Sequence, residues 1–391
     1  MRTLALIIAI LLAAGACGAQ EWPTPGHDPQ RTGYSENLGP ESPEVAWSVH
    51  VGSAVSPPSV ADHTVYFGAE NIMYALSAFN GSPVWSVEAD GRVSPPTVHG
   101  GKAYFGSSGG TVYCLDAAGG NTVWSHPVNG GATEAIAVSS GTLYLSTSAH
   151  YVYALRASDG GFLWAKILDG VLTAPATDGT VIAVANNMGR VFALDTLGNT
   201  IWSAAVNEVI TLPPVISGGK VWVAGGRKLF LLENGAMLRE IRFQADVNSF
   251  SVSGGMVYVG CSDGSVEAIT ESGAVTWRFE GRGGGATYLA AAGNSVFAWS
   301  GGRLYSLSMD KGETLWVMDI GAISCRQPAI AYGKLFIGSS DGVYCIGSWG
   351  SIPNGSAGTG LLYICIAALL LLAIVFLEKL EKGQQARKRR A

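Results

Sequence analysis

The chain has 391 residues, 53 of them glycine, with 48% hydrophobic and 14% charged residues and a formal net charge of −5. Glycine at about twice its usual frequency, alongside Val, Thr, Tyr and Trp, predicts many short strands joined by tight turns; no long amphipathic pattern exists, which excludes a helical bundle. The acidic balance argues against a nucleic-acid partner, which calls for a basic face.

In chain order, residues 1–19 read as a secretory signal peptide: Arg2, an apolar run from Leu4 to Ala14, then small residues. Cleavage fits after Ala16 or Ala19. Cys17 behind Gly15-Ala16 also has the look of a lipoprotein box, although Ala14 stands where leucine is usual. Residues 20–43 form an N-terminal lead-in segment, and repeats fill 44–348. A linker, 349–359, precedes Gly360–Leu377, 18 residues without a charge and long enough for one membrane-spanning helix. The tail, 378–391, carries Lys379, Lys382, Arg387, Lys388, Arg389 and Arg390. Basic residues beside a span stay cytoplasmic, so the expected location is a single-pass protein of the cell membrane, with its repeats outside (periplasmic or extracellular) and its tail inside.

Tryptophans at 47, 85, 124, 164, 202, 277 and 316 recur at intervals of 38 to 40 residues, with one interval of 75 that spans two periods. A glycine stands four residues before most of them (Gly81, Gly120, Gly160, Gly198, Gly273, Gly312), and the same count from Gly235 lands on Arg239. Before each Trp strand come three short strands, the third recurring eight times, as in Met73-Tyr74-Ala75-Leu76 and Val343-Tyr344-Cys345-Ile346. Four antiparallel strands per unit of about 40 residues define a propeller blade. The last unit lacks its Trp strand, whereas Val45-Ala46-Trp47-Ser48-Val49 has no unit of its own; we therefore expect an eight-bladed all-β propeller in which the N-terminal strand completes the last blade. Trp349 is the rival closing residue, but it follows Tyr344 too closely. A tryptophan on seven of the eight outer strands, Trp47, Trp85, Trp124, Trp164, Trp202, Trp277 and Trp316, is expected to dock one blade on the next.

The segments "VYCLDAAGGNTVW" (112–124), "VYALRASDGGFLW" (152–164) and "VFALDTLGNTIW" (191–202), with "WPTPGHDPQRTGYS" (22–35) ahead of them, resemble the quinoprotein-type, PQQ-like propeller repeat, over about residues 20 to 348. Of its two branches, one implies pyrroloquinoline quinone and calcium in the centre of the ring. The other, BamB-like, implies a non-enzymatic scaffold of the outer-membrane β-barrel assembly machine.

The residues themselves favour the scaffold. There is no adjacent cysteine pair, and Asp116, Asp195, Asp263 and Asp341 occupy turn and strand positions of the repeat itself rather than a calcium set. The six histidines all fall within the first 150 residues without a zinc-binding spacing, no catalytic serine elbow occurs, and "GRGGGAT" (281–287) reads as a blade linker. Cys114, Cys261, Cys325 and Cys345 read as small buried residues rather than a disulfide framework. Catalytic, cofactor and metal residues are thus expected to be absent. The expected function is an anchored, extracytoplasmic interaction scaffold or binding module for another envelope or extracellular protein, or for a polymer. A membrane-bound quinoprotein oxidoreductase using quinone and calcium is the alternative, and a carbohydrate-binding or lyase-type propeller a third option. The repeat is most broken at Arg227, Lys228, Arg239 and Glu267, which mark a candidate binding sector.

Overall fold

The computed structural model describes residues 21–282, 285–320 and 327–348. The expected signal peptide, linker, membrane helix, basic tail, Trp349, Cys17 and Cys325 lie outside them. The chain divides into two units, Met1–Ser348 and Trp349–Ala391, and all the described residues belong to the first.

Eight sheets form, one for each repeat. Blade 1 runs through Ser59–Ala61, Thr64–Ala69, Ile72–Ser77 and Pro83–Glu88, each strand antiparallel to the one before. Blades 2 to 6 repeat this meander, beginning at Thr97, Ala137, Ala176, Val215 and Val247. Blade 7, from Tyr288 to Asp319, gains a fifth strand, because Tyr34–Ser35 pairs in parallel with Ala291 and Ala292. Blade 8 takes its three inner strands from Ala329–Ala331, Lys334–Gly338 and Gly342–Ile346, and its outer strand from Val45–His50. Trp47 pairs with Cys345, Ser48 with Tyr344 and Val49 with Val343, so the ring closes by β-pairing of the two ends of the repeat region.

The core lies between sheets rather than within them. Tyr66, Met73 and Ala75 of blade 1 pack with Val98, Phe105 and Leu115 of blade 2 in one buried cluster. The Trp22 to Ile346 cluster likewise joins blades 7, 8 and 1. Second strands are therefore buried almost end to end, as in Ala103–Gly106 and Val221–Gly225, because neighbouring blades cover both faces. Outer strands alternate and keep an open edge.

Every outer strand carries a β-bulge just before its tryptophan position. In blade 1, Leu76 pairs with Pro83 and Ala75 with Trp85, which leaves Val84 as the extra residue. Thr122/Trp124 and Val45/Trp47 show the same shift. The bulge turns the strand so that the ring of the tryptophan faces the following blade.

Candidate functional site

The lead-in segment crosses the inner edge of nearly the whole ring. Trp22 and Val60 exchange backbone hydrogen bonds of 2.9 and 2.8 Å, and Val98 N–H donates to the Pro23 carbonyl at 2.7 Å. Further along, Thr177 N–H reaches Pro29, Ile216 reaches Gln30, Val252 reaches Thr32 and Ala291 reaches Gly33. The unpaired inner edges of successive first strands are thereby satisfied by one extended strap, which solves the edge problem at the hub.

Arg31 is the buried pivot of this strap. It is only 6% exposed, with φ of 62°, and its guanidinium donates to three backbone carbonyls: Pro175 at 2.7 Å, Pro25 at 3.0 Å and Ala135 at 2.9 Å. These carbonyls belong to the strap and to the loops leading into blades 3 and 4. Burial lowers its pKa to about 10, with Glu134 and Asp28 pulling the other way, so it remains a cation at neutral pH. Asp28 holds the turn by accepting from Thr32 N–H at 3.0 Å and from the Thr32 hydroxyl.

Above the strap lies a central cavity of about 580 Å³. Its floor includes Pro25, Gly26 and Arg31, and its wall is built from loops that lead into the blades, including Ser56, Val93, Glu134 and Leu212, and from the first strands of blades 6 and 7, with Phe250 and Tyr288. Antiparallel order puts those loops at the end of the ring opposite the turns between first and second strands. The funnel therefore opens at one end. Glu70, Arg92, Glu134 and Arg31 are its charged residues. Glu134 is open to the funnel space yet ringed by protein; desolvation raises its pKa and Arg31 partly offsets the rise.

The candidate sector of blades 5 and 6 is ion-paired. Arg227 lies 3.5 Å from Asp246; Lys228 lies 2.7 Å from Glu208 and 3.5 Å from Glu240. Glu267 is buried, accepts from Arg278 at 2.6 Å, and has a pKa raised by its desolvation. Arg239 is exposed on the outer strand of blade 5 and bonds the Leu238 carbonyl. Arg227 stands in the turn before Lys228, while Lys228, Arg239 and Glu267 stand on three separate strands, and none of the four lines the central cavity.

The tryptophans join blades in a constant way. Trp85 Nε1 donates 2.9 Å to the Ala117 carbonyl in the hairpin of blade 2, Trp124 donates to Ala157, and Trp164 to Thr196. The rings of Trp47, Trp85, Trp124, Trp164, Trp202 and Trp277 each lie on the glycine of the next hairpin: a β-carbon on Gly120 would lie 2.7 Å from the ring of Trp85. The glycine four residues before each tryptophan thus serves the tryptophan of the preceding blade. Where blade 5 has Arg239, it is Ile241 that covers Gly273. Cys114, Cys261 and Cys345 are buried and free, and desolvation pushes their thiols up to about 11, 12 and 12, which leaves them inert.

The lead-in segment was legible only as a piece ahead of the ring. Its course, Arg31 and the funnel carry no periodic signal; the Pro- and Gly-rich run from Trp22 to Gly33 was the available hint.

The fold and its hub define an eight-bladed β-propeller closed by its own N-terminal strand. The sequence profile of the family described as outer membrane protein assembly factor BamB matches residues 35–169, 108–208, 187–322 and 262–349, and the chain belongs to that family. No curated protein sequence matches it. Among solved structures, BamB from Moraxella catarrhalis is similar at 17% identity and TM-score 0.63, covering 79% of this chain and 98% of that one. The computationally designed Ika8 protein aligns at 16% identity and TM-score 0.71, covering 78% and 100%. Quinohemoprotein alcohol dehydrogenase from Comamonas testosteroni aligns at 17% identity and TM-score 0.69, covering 87% and 82%. At these identities the structural likenesses establish the fold.

Proposed function

We propose that this chain is a non-catalytic, membrane-anchored propeller that works outside the cytoplasm as an interaction scaffold for another envelope protein. The observation that carries the reading is membership of the BamB family across the whole ring. The surface supports it. Val171, Met188 and Val209 are exposed apolar residues on adjoining loops, at 58%, 63% and 59% exposure. Those loops are tied together: Asn187 N–H donates to the Val171 carbonyl and Val206 N–H to Gly189. Rigid loops with clustered apolar side chains suit a protein partner. The apolar segment 360–377 and its basic flank support attachment to the cell membrane with the tail in the cytoplasm.

The cofactor-free reading draws support from the cavity wall. A quinone with several carboxylates needs unoccupied cations, and a calcium beside it needs a converging set of oxygen ligands. Here Arg31 spends its guanidinium on three carbonyls, which leaves Arg92 as the single uncommitted cation of the wall among the described residues. The wall also presents Glu70 and Glu134, and no group of three or more Asp, Glu, His or Cys side chains suited to a metal ion gathers among the described residues. These residues do not fit the quinone–calcium pair.

The test is cross-linking and affinity capture of the full-length chain from native membranes, beside alkaline extraction. A defined envelope protein should be captured by the parent chain and lost with Met188→Asp and Val209→Asp, and the chain should stay with the membrane. Release into the alkaline supernatant would overturn the anchor. Saturable quinone binding with calcium-dependent dye reduction would overturn the non-catalytic role.

A further inference from the structure

The loops that lead into the blades turn a recurrent apolar surface toward the funnel. Pro57, Pro95, Ala174 and Pro213 line it, each the first member of a pair whose second member, Pro58, Pro96, Pro175 or Pro214, is buried in the wall. Proline has no N–H, so three of these positions offer the cavity no backbone donor. The hydroxyl residue just before the first three is engaged inside the wall. Ser56 Oγ accepts from Gly68 N–H at 3.0 Å, Ser94 Oγ from Gly106 N–H at 2.9 Å, and Thr173 Oγ1 from Ala185 N–H at 3.1 Å. In blade 5 Leu212 takes the place of that hydroxyl, lines the funnel half-buried, and packs in one cluster with Phe250 of blade 6.

The charges of the wall cancel. Among the described residues they are Glu70 and Glu134 against Arg31 and Arg92, and the Arg31 guanidinium is held by three carbonyls. An ion entering the cavity gives up water without meeting a net opposite charge, which is costly, whereas an uncharged apolar body gains by leaving water. The strap closes the floor with Pro25, Gly26 and Arg31, so an occupant enters from the mouth and stops there. A volume of about 580 Å³ lies in the range of pockets that take one small molecule.

We propose that the central funnel binds one small, uncharged, largely apolar molecule, whose body lies against Leu212, Pro213 and Phe250. This goes beyond the scaffold reading and does not depend on it, because the ring can carry a partner on its loops whether or not the funnel is filled.

The experiment is titration calorimetry on the purified full-length chain, with empty detergent micelles as the blank. The probe is 2-(1-naphthyl)ethanol, set against 1-naphthylacetate and 2-(1-naphthyl)ethylammonium, an anion and a cation with the same apolar body. The alcohol should bind at one site per chain, at least about tenfold tighter than either ion. Leu212→Asp, which puts a charge on the apolar wall, should weaken it by about tenfold. Ala54→Trp, at an exposed position lining the funnel, fills part of the cavity and should weaken it similarly. Leu197→Asp, 75% exposed on the hairpin of blade 4, should leave binding unchanged. Melting profiles check the fold, and Ala54→Trp, which alters no buried residue, decides the matter if Leu212→Asp unfolds. Equal or tighter binding of either ion, no saturable binding of the alcohol above the micelle blank, or full affinity in a folded Ala54→Trp or Leu212→Asp protein would overturn the proposal.

Discussion

Trp316 Nε1 donates a 3.1 Å hydrogen bond to the carbonyl of Pro40, 276 residues earlier in the chain. For Trp47, Trp85, Trp124, Trp164 and Trp277 the acceptor belongs to the hairpin of the next blade, as Met309 does for Trp277 at 2.9 Å. Blade 8 has no such hairpin, because its outer strand arrives from the N-terminus. Pro40 takes the place of the missing acceptor, so the seam between blades 7 and 8 is completed by the segment that also closes the ring.

That substitution of one element for another predicts a graded response at position 316. Trp316→Phe keeps the ring over the seam but loses the donor, and should cost about 1 kcal/mol. Trp316→Ala opens a cavity and should cost about 3–5 kcal/mol. Urea midpoints check both. Equal losses would mean that the bond, not the ring, holds the seam.

Blade 5 shows how the repeat tolerates its missing tryptophan. In the other blades the residue paired with the tryptophan is small: Ala75, Cys114, Ala154, Ala193, Ala268, Ser306 and Cys345. Opposite Arg239 stands Leu231 instead. Volume removed on one strand is returned on its neighbour. Arg239→Trp alone should therefore be destabilising by about 1–3 kcal/mol through overpacking. Leu231→Ala alone should cost about 2–5 kcal/mol. The double variant should recover at least about 1 kcal/mol relative to the sum of the two. Additive losses in a double-mutant cycle would show that the two positions are not complementary.

Periodicity made the blades, the closing strand and the recurrence of the tryptophans legible, because each blade repeats one local pattern and Trp47 stood visibly out of place. The bulges were not legible: one extra residue, such as Val84, changes the pairing without changing the Gly-to-Trp count. Nor was the hub. Arg31 meets Ala135 and Pro175 at sequence separations of 104 and 144, distances set by ring geometry alone. Glu267 was visible as a break in the repeat, but its neutralisation by Arg278 depends on cross-strand register. The sites where repetition fails were readable as sites; what they meet was not, since their partners lie on other strands or other blades.

Arg31 is expected to be the most sensitive single position of the strap. Arg31→Met removes three donors at once and leaves the Pro25, Ala135 and Pro175 carbonyls short of partners, at a cost of about 3 kcal/mol or more. Arg31→Lys should recover only part of this, because an ammonium lacks the planar fork that reaches three separate acceptors. Thermal unfolding of the three proteins should rank them parent, Lys, Met. A Lys variant as stable as the parent would show that charge alone, rather than geometry, is what the hub requires.

Glu134 should behave in the opposite sense. Its folded pKa lies above the ordinary carboxylate value, because the protein that rings this open side chain strips part of its hydration and Arg31 offsets only part of that loss. The folded state therefore holds this proton more tightly than the unfolded state does. Its contribution to stability is fully present below the unfolded pKa and is lost as pH rises through the raised folded value. At neutral pH the ionised side chain is thus a net burden, and Glu134→Gln should raise the melting temperature there, with the advantage shrinking as the pH is lowered into the carboxylate range. Melting curves across this range measure the effect on one pair of proteins. A Glu134→Gln protein that is less stable than the parent at neutral pH would mean that the carboxylate supports the fold, and is not held at a cost to it.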